Sequence, residues 1–139
     1  MRDWSRLLHS AMKLSYEELV KEGKETVARV LDTIGKYSDP DGATITLTGL
    51  AAYTATVDNE LSDIEVKLIG DVLGISKKDF EGFIDQVKRD DKIIRELTEI
   101  VDCMNEEELN DFASILCGIF AVDGKITDDE LAFMKKLCH

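Results

Sequence analysis

The strongest constraint on the fold is a short acidic segment that occurs twice in the chain. Residues 57–69 read VDNELSDIEVKLI, and residues 122–134 read VDGKITDDELAFM. The copies share Val, Asp, Asp and Glu at the same steps, and several other steps carry conservative replacements. Such a repeat predicts a duplicated structural unit with related acidic turns.

Each copy has the pattern of two helices joined by a tight turn. An apolar run, at 50–57 or 115–122, precedes Asp-Asn or Asp-Gly, which readily adopt the left-handed conformation that ends a helix. A Ser or Thr then precedes a Glu by three positions, as in a capping box. These pairs are Ser62 with Glu65 and Thr127 with Glu130. The aliphatic residues inside the turns, expected to be buried, are Leu61 and Ile126.

The acids of the repeat have two interpretations. Several fall in the first turn of a helix, where free amides and the helix dipole stabilise carboxylates. They are Asp63, Glu65, Asp128, Asp129 and Glu130. Asp58 and Asp123 instead end the preceding helix, where the dipole disfavours a negative charge. Their placement indicates either an Asx-type bond to turn amides or a bound cation.

An ordinary EF-hand is not expected, although DGKITDDE matches the second half of that calcium loop. In this register Asp123, Gly124 and Glu130 occupy the fifth, sixth and twelfth positions. The loop also requires oxygen ligands at its first and third positions. Those positions hold Thr54 and Thr56 in one copy, and Ile119 and Ala121 in the other. The apolar helical pattern runs through these positions, which argues against a calcium loop.

The two copies resemble the TerB-like, or tellurite-resistance, family of helical domains. The segments that carry the resemblance are YTATVDNELSDIEVKLIGDVLGI and CGIFAVDGKITDDELAFMKKLC, within residues 46–139. Each has an apolar helix, an Asp-Gly-like turn and an acidic helix with a Ser- or Thr-rich start. The resemblance implies a pseudo-two-fold helical bundle, a divalent metal site and a role in bacterial stress response.

The resemblance also implies which side chains hold the metal. The candidate ligands are Asp58, Glu65, Asp123 and Glu130, with Asp63 and Asp128 behind them. Two residues of the first copy depart from the family pattern, because Asn59 replaces Gly and Ile64 replaces an acid. The first copy is therefore expected to bind the cation more weakly than the second.

Length and composition predict one compact all-α domain over residues 1–139. A chain of 139 residues with 44% hydrophobic residues and one proline can bury a sizeable helical core. The N-terminal helices occupy 1–40, Asp39 to Gly42 form a turn, and 77–88 and 91–102 are predicted helices between the copies. Only 45–47 alternates like a strand, too short to build a sheet. We expect a bundle of about seven to eight helices.

The matching caps and apolar steps predict that the two helix pairs superpose and pack together, bringing Asp58 near Asp123.

A second expectation concerns the first helix. Its apolar stripe consists of Trp4, Leu7, Leu8, Ala11 and Met12. Docking of this stripe on the bundle is expected, and contact with a partner or a homodimer is the alternative.

The net negative charge of the chain limits the kinds of molecule that it can bind. A formal net charge of −12 opposes binding to nucleic-acid backbones or anionic membranes, and favours cations or basic protein surfaces. No apolar run approaches the roughly 20 residues that span a bilayer, and no secretory signal is recognisable. A cytoplasmic location is the default expectation. Cys103, Cys117 and Cys138 lack CxxC spacing and are expected to be reduced core thiols.

Catalytic patterns are weak in this chain. His9 lies off the apolar stripe, His139 is the last residue, and no glycine-rich phosphate loop is present. The sequence therefore favours a non-enzymatic acidic module that binds a divalent cation and protein partners in a TerB-like stress-response role. A structural or adaptor domain whose acids are only helix caps is the first alternative. A metal-dependent hydrolase is the second.

Overall fold

The structure, a computed structural model, describes residues 5–55, 62–89, 92–122, 124 and 127–137. These residues form eight α-helices, one short 3-10 helix and no strand, as the sequence predicts. The helices are α1 (Ser5–Met12), α2 (Tyr16–Tyr37), α3 (Ala43–Ala55), α4 (Asp63–Leu73), α5 (Lys77–Arg89), α6 (Lys92–Cys103), α7 (Glu106–Ala121) and α8 (Asp128–Leu137). None of these helices is long and apolar enough to cross a bilayer.

Local capping fixes the starts of two long helices. The Ser15 hydroxyl accepts from the Glu18 amide, and the Ser15 amide donates to the Glu18 carboxylate at 2.9 Å. Asn105 and Glu108 form the same reciprocal box at α7, with bonds of 2.9 and 3.0 Å. Each box satisfies amides that a helix start otherwise leaves unpaired.

The segment that alternates like a strand is helical, and its strand-like appearance was misleading. Residues 45–47 lie in α3, where Leu47 is buried and Ile45 is exposed. Thr46 and Thr48 donate their hydroxyls to the carbonyls of Gly42 and Thr44, which fits these β-branched residues into a helix. Tertiary packing here outweighs the β-propensity of the segment.

Helix α3 is the centre of the bundle. It packs against α2, α4, α5, α6 and α7. Its residues from Leu47 to Ala52 are all buried, which explains why its sequence has no polar face. One apolar cluster joins α2, α3, α6 and α7, and a second joins α3 to α5 through Phe80 and Ile84.

The remaining local predictions are largely confirmed. The turn at 39–42 contains the 3-10 helix Pro40–Gly42, and the Asp39 carboxylate accepts from the Asp41 amide at 3.1 Å. In α1, Leu8 and Ala11 are buried and the helix packs against α7, so α1 docks on the bundle, although Met12 of the predicted stripe is exposed. Trp4 lies outside the described residues.

The cysteine prediction is wrong for Cys103. Its thiol is free but exposed, because it ends α6 on the outer side of the bundle. Cys117 is the buried thiol that was expected, with its Sγ 3.8 Å from Met134 Sδ. Cys138 lies outside the described residues.

Candidate functional site

The second repeated turn begins α8 with a complete capping box. The Thr127 amide donates to Glu130 Oε1 at 2.9 Å, and the Glu130 amide donates to Thr127 Oγ1 at 3.1 Å. Before it, Gly124 has a φ of 76° and donates its amide to the Ala121 carbonyl at 2.9 Å. The left-handed conformation predicted for the Asp-Gly step is thus confirmed at Gly124.

The first repeated turn begins α4 with a variant of this cap. The Glu65 amide donates to Ser62 Oγ at 3.2 Å, as predicted. Ser62 Oγ in turn donates to Glu65 Oε1 at 2.9 Å. In both copies the glutamate therefore helps to hold the helix start, and the capping interpretation is correct for both.

Burial distinguishes these two glutamates from the other capping glutamates. Glu65 and Glu130 are each only 4% exposed. Glu18, in the box of α2, is exposed, and the Glu108 side chain is 14% exposed. Burying a carboxylate carries a desolvation cost that an exposed cap does not have, so the two repeated turns differ from the other capping boxes in this respect.

A buried hydroxyl lies just before the first turn. Thr54, near the end of α3, is 2% exposed, and its Oγ1 has no hydrogen-bond partner among the described residues. Thr48 on the same helix is equally buried but donates to the Thr44 carbonyl at 2.8 Å. A buried hydroxyl without a partner costs about 1 to 3 kcal/mol, so the Thr54 site requires an explanation.

Thr54 is the residue that sequence reasoning set aside. It stands at the first position of the EF-hand register in which Glu65 is the twelfth, and a hydroxyl oxygen can ligate a hard cation. The equivalent residue of the second copy is Ile119, which is buried in the apolar cluster between α3 and α5. The two copies therefore differ, and the first has the additional oxygen.

The other candidate ligands are only partly located. Asp63 and Asp128 are exposed in the first turns of α4 and α8. Asp58 and Asp123, with Asn59 and the expected plugs Leu61 and Ile126, lie outside the described residues. Within the described part of the chain, no group of three or more His, Cys, Asp or Glu side chains could hold a metal ion.

The two repeat units contact each other, as predicted, whereas the predicted approach of Asp58 to Asp123 concerns residues outside the described part of the chain. Helix α7 of the second unit packs against α3 and α4 of the first. Close to the turns, the ring of Tyr53 lies 5.5 Å from that of Phe133 on α8, and Phe133 meets Phe120 edge-on at 6.3 Å. Aromatic contacts of this kind fix the second unit beside the end of α3.

Several ionisable groups with shifted pKa values join helices away from the turns. Glu108 Oε1 accepts from the Tyr37 hydroxyl at 2.7 Å, and Lys36 lies 3.3 Å from Oε2. Hydrogen bonds from the backbone amide of Asn105, from Tyr37 and from Lys36 lower the pKa of Glu108. At α4, burial and the hydrogen bond to Asp71 raise the pKa of Tyr16 to about 12. These contacts hold α2 against α7 and α4.

The fold and these turns define the class of protein. It is an all-α bundle that contains two copies of a unit made of a helix, an acidic turn and a second helix. No family model matches the chain, and neither a curated protein nor a solved structure shows significant similarity to it. The TerB-like resemblance thus rests on the repeat residues alone.

Proposed function

We propose that this chain is a non-enzymatic helical module that binds a divalent cation at its repeated acidic turns. The observation that carries the proposal is the burial of both Glu65 and Glu130, which the other capping glutamates of the chain do not share. Buried carboxylate oxygens are the kind of donor that a divalent cation binds in proteins.

The oxygen donors of each turn are of the chemical type that a hard cation prefers. In the first copy Glu65, Thr54 and Asp58 would hold it, and in the second copy Glu130 and Asp123 would do so. The buried hydroxyl of Thr54 favours the first copy, in contrast to the expectation from Asn59 and Ile64 that this copy binds more weakly. Calcium, magnesium and manganese are the cations that such donors prefer.

The module would act through protein partners in a TerB-like stress-response role in the cytoplasm. Support comes from the repeat pattern and from the net charge of −12, which favours a partner with a basic surface. Binding to such a partner should weaken as salt is raised, because salt screens the attraction between exposed charges.

A structural or adaptor role is the second candidate, and the cap geometry favours it. Both repeated-turn glutamates accept hydrogen bonds from Ser62 or Thr127, which are the contacts that a helix cap requires. If the acids are only caps, the domain would present surfaces to partners and would show no specific cation response.

Thermal unfolding with calcium, magnesium, manganese and zinc, each matched to sodium chloride of equal ionic strength, separates the two candidates. A cation present at about 100 times its Kd should add roughly 2.7 kcal/mol of stability, or about 5 to 12 °C in Tm. Asp123→Asn and Glu65→Gln should reduce this rise. Glu18→Gln is the matched control, because it weakens an exposed cap without touching either repeated turn.

The two candidates predict different results. A cation-specific rise that Glu18→Gln retains and the turn variants lose supports the proposed site. If every divalent cation leaves Tm where sodium leaves it, the cation site is absent and the acids are caps.

A further inference from the structure

A cavity of about 240 Å³ lies among α1, α2, α3, α4 and α7, away from the capping contacts of the turns. Small residues stand where these helices meet and leave the space unfilled; they are Ala11, Ala51, Ser114 and Gly118. A Cβ atom built on Gly118 would come no closer than 3.9 Å to Leu19. Protein cores are normally close-packed, so an opening of this size is a notable feature of the bundle.

The wall of the cavity is mostly aliphatic. Leu47 and Leu50 of α3 face it together with Leu68 and Ile69 of α4, and all four are buried. Among the described residues that line it, Glu22 is the one acidic or basic side chain. Because Glu22 is exposed, its carboxylate lies at the mouth rather than in the interior.

We propose that this cavity binds a small hydrophobic amine. An engineered apolar cavity of about 150 Å³ accommodates benzene, and drug-sized ligands occupy pockets of roughly 300 to 1,000 Å³. The volume of this cavity therefore fits one ring or a short alkyl chain. The ammonium group pairs with Glu22 at the mouth, and the net charge of −12 disfavours carboxylate ligands.

The test uses four small compounds that separate the contribution of the alkyl chain to binding from the contribution of the charged group. Hexylamine has both, hexanol has only the alkyl chain, methylamine has only the ammonium group, and hexanoate reverses the charge. Binding is followed by the methyl NMR signals of Leu50 and Leu68 at constant ionic strength. Hexylamine should bind saturably. Hexanol should bind several-fold more weakly than hexylamine, and hexanoate at least tenfold more weakly. Methylamine should not change the chemical shifts of these methyl groups.

Two variants locate the bound amine. Gly118→Leu fills the cavity and should weaken hexylamine and hexanol binding at least tenfold. Glu22→Gln should weaken hexylamine several-fold and leave hexanol unchanged. Glu25→Gln is the matched control, because Glu25 is exposed on the same helix but does not line the cavity.

Other results would overturn the proposal. Equal affinity for hexylamine, hexanol and hexanoate would exclude a site selective for amines. The absence of saturable hexylamine binding at millimolar concentration would exclude the site altogether. If Gly118→Leu does not fold, the comparison of Glu22→Gln with Glu25→Gln decides, and equal hexylamine affinity in these two variants would contradict the proposal.

Discussion

Single side chains of this bundle show how burial changes the role of a common motif. Four Ser, Thr or Asn residues cap helices with a glutamate three positions later, and the local bonds are similar in all four. Only Glu65 and Glu130 are buried. A cap is a local interaction, whereas burial requires neighbours from elsewhere in the chain, so only the repeated turns combine the two.

The Thr54 hydroxyl gives the sharpest test at this scale. Thr54→Val keeps the side-chain shape but removes a buried oxygen without a described partner, so the cation-free protein should gain about 1 to 2 kcal/mol. The same change should reduce the Tm rise that a cation produces, if Thr54 is a ligand of the first copy. Denaturant unfolding and thermal melts with cation measure the two effects.

Thr48→Val is the matched control for this substitution. Thr48 is as buried as Thr54 but donates its hydroxyl to the Thr44 carbonyl, so its replacement should bring no gain in stability. Equal effects of the two substitutions on the free energy of unfolding would show that the Thr54 hydroxyl destabilises the protein no more than the hydrogen-bonded hydroxyl of Thr48.

Glu108 predicts a specific pH dependence. Its pKa is lowered in the folded state from an ordinary value of 4.5, so it stabilises the protein above that value and loses this contribution as the pH falls through the lower, folded-state pKa. Glu108→Gln should therefore cost about 1 kcal/mol at pH 7, and this cost should shrink as the pH falls from the ordinary value of 4.5 through the lowered folded-state pKa.

Urea unfolding at pH 7 and pH 3 measures this difference for Glu108→Gln. Glu107→Gln, in the same exposed first turn of α7, removes an equal charge without the contacts to Tyr37 and Lys36. A constant stability loss for Glu108→Gln across this pH range would contradict the role assigned to its carboxylate.

At the scale of elements, two glycines have opposite effects on the helices that contain or end at them. Helix α5 contains Gly82, which is exposed and has no atom within 4 Å of a built Cβ. Helix α4 instead ends at Gly74, whose φ of 73° is unfavourable for any residue with a side chain. The first glycine weakens its helix, and the second ends one.

Gly82→Ala should raise the free energy of unfolding by about 0.5 to 1 kcal/mol, because alanine favours the helical state and nothing blocks its methyl group. Gly74→Ala should lower it by about 1 to 2 kcal/mol, since alanine is strained in the left-handed region. Urea unfolding of both variants measures these changes. Effects of the same sign would show that the two helix positions are misassigned.

Helix α1 supplies the other prediction for an element. Removal of residues 1–14 takes away the buried Leu8 and Ala11, so Tm should fall by several degrees. Sedimentation of the truncated chain checks whether self-association changes as well. An unchanged Tm together with lost self-association would instead assign the apolar stripe of α1 to a dimer contact.

For the whole molecule, the structure brings two repeat units together around α3 and α7. Helix α4 begins at the first acidic turn and lines the amine-sized cavity through Leu68 and Ile69. Helix α7 leads to the second turn and lines the same cavity through Gly118. The proposed cation site and the cavity therefore share helices.

The sequence by itself determined the helical class and the helix starts. Capping pairs such as Asn105 with Glu108 act over three residues, and helical periodicity acts over a few turns, so both are visible in the linear chain. The predicted helix 77–88 stops one residue before the end of α5, and the predicted helix 91–102 is shifted by one residue from α6 at both ends. Local signals of this kind do not depend on how the helices later pack.

Tertiary structure decided everything that depends on which surfaces meet. Packing of α3 against five helices made the strand-like 45–47 helical, buried Thr54 and left the cavity beside Gly118. It also buried Glu65 and Glu130 while leaving Glu18 and Cys103 exposed. Burial arises from contacts between residues distant in the chain, so neither residue type nor spacing could distinguish a buried capping glutamate from an exposed one.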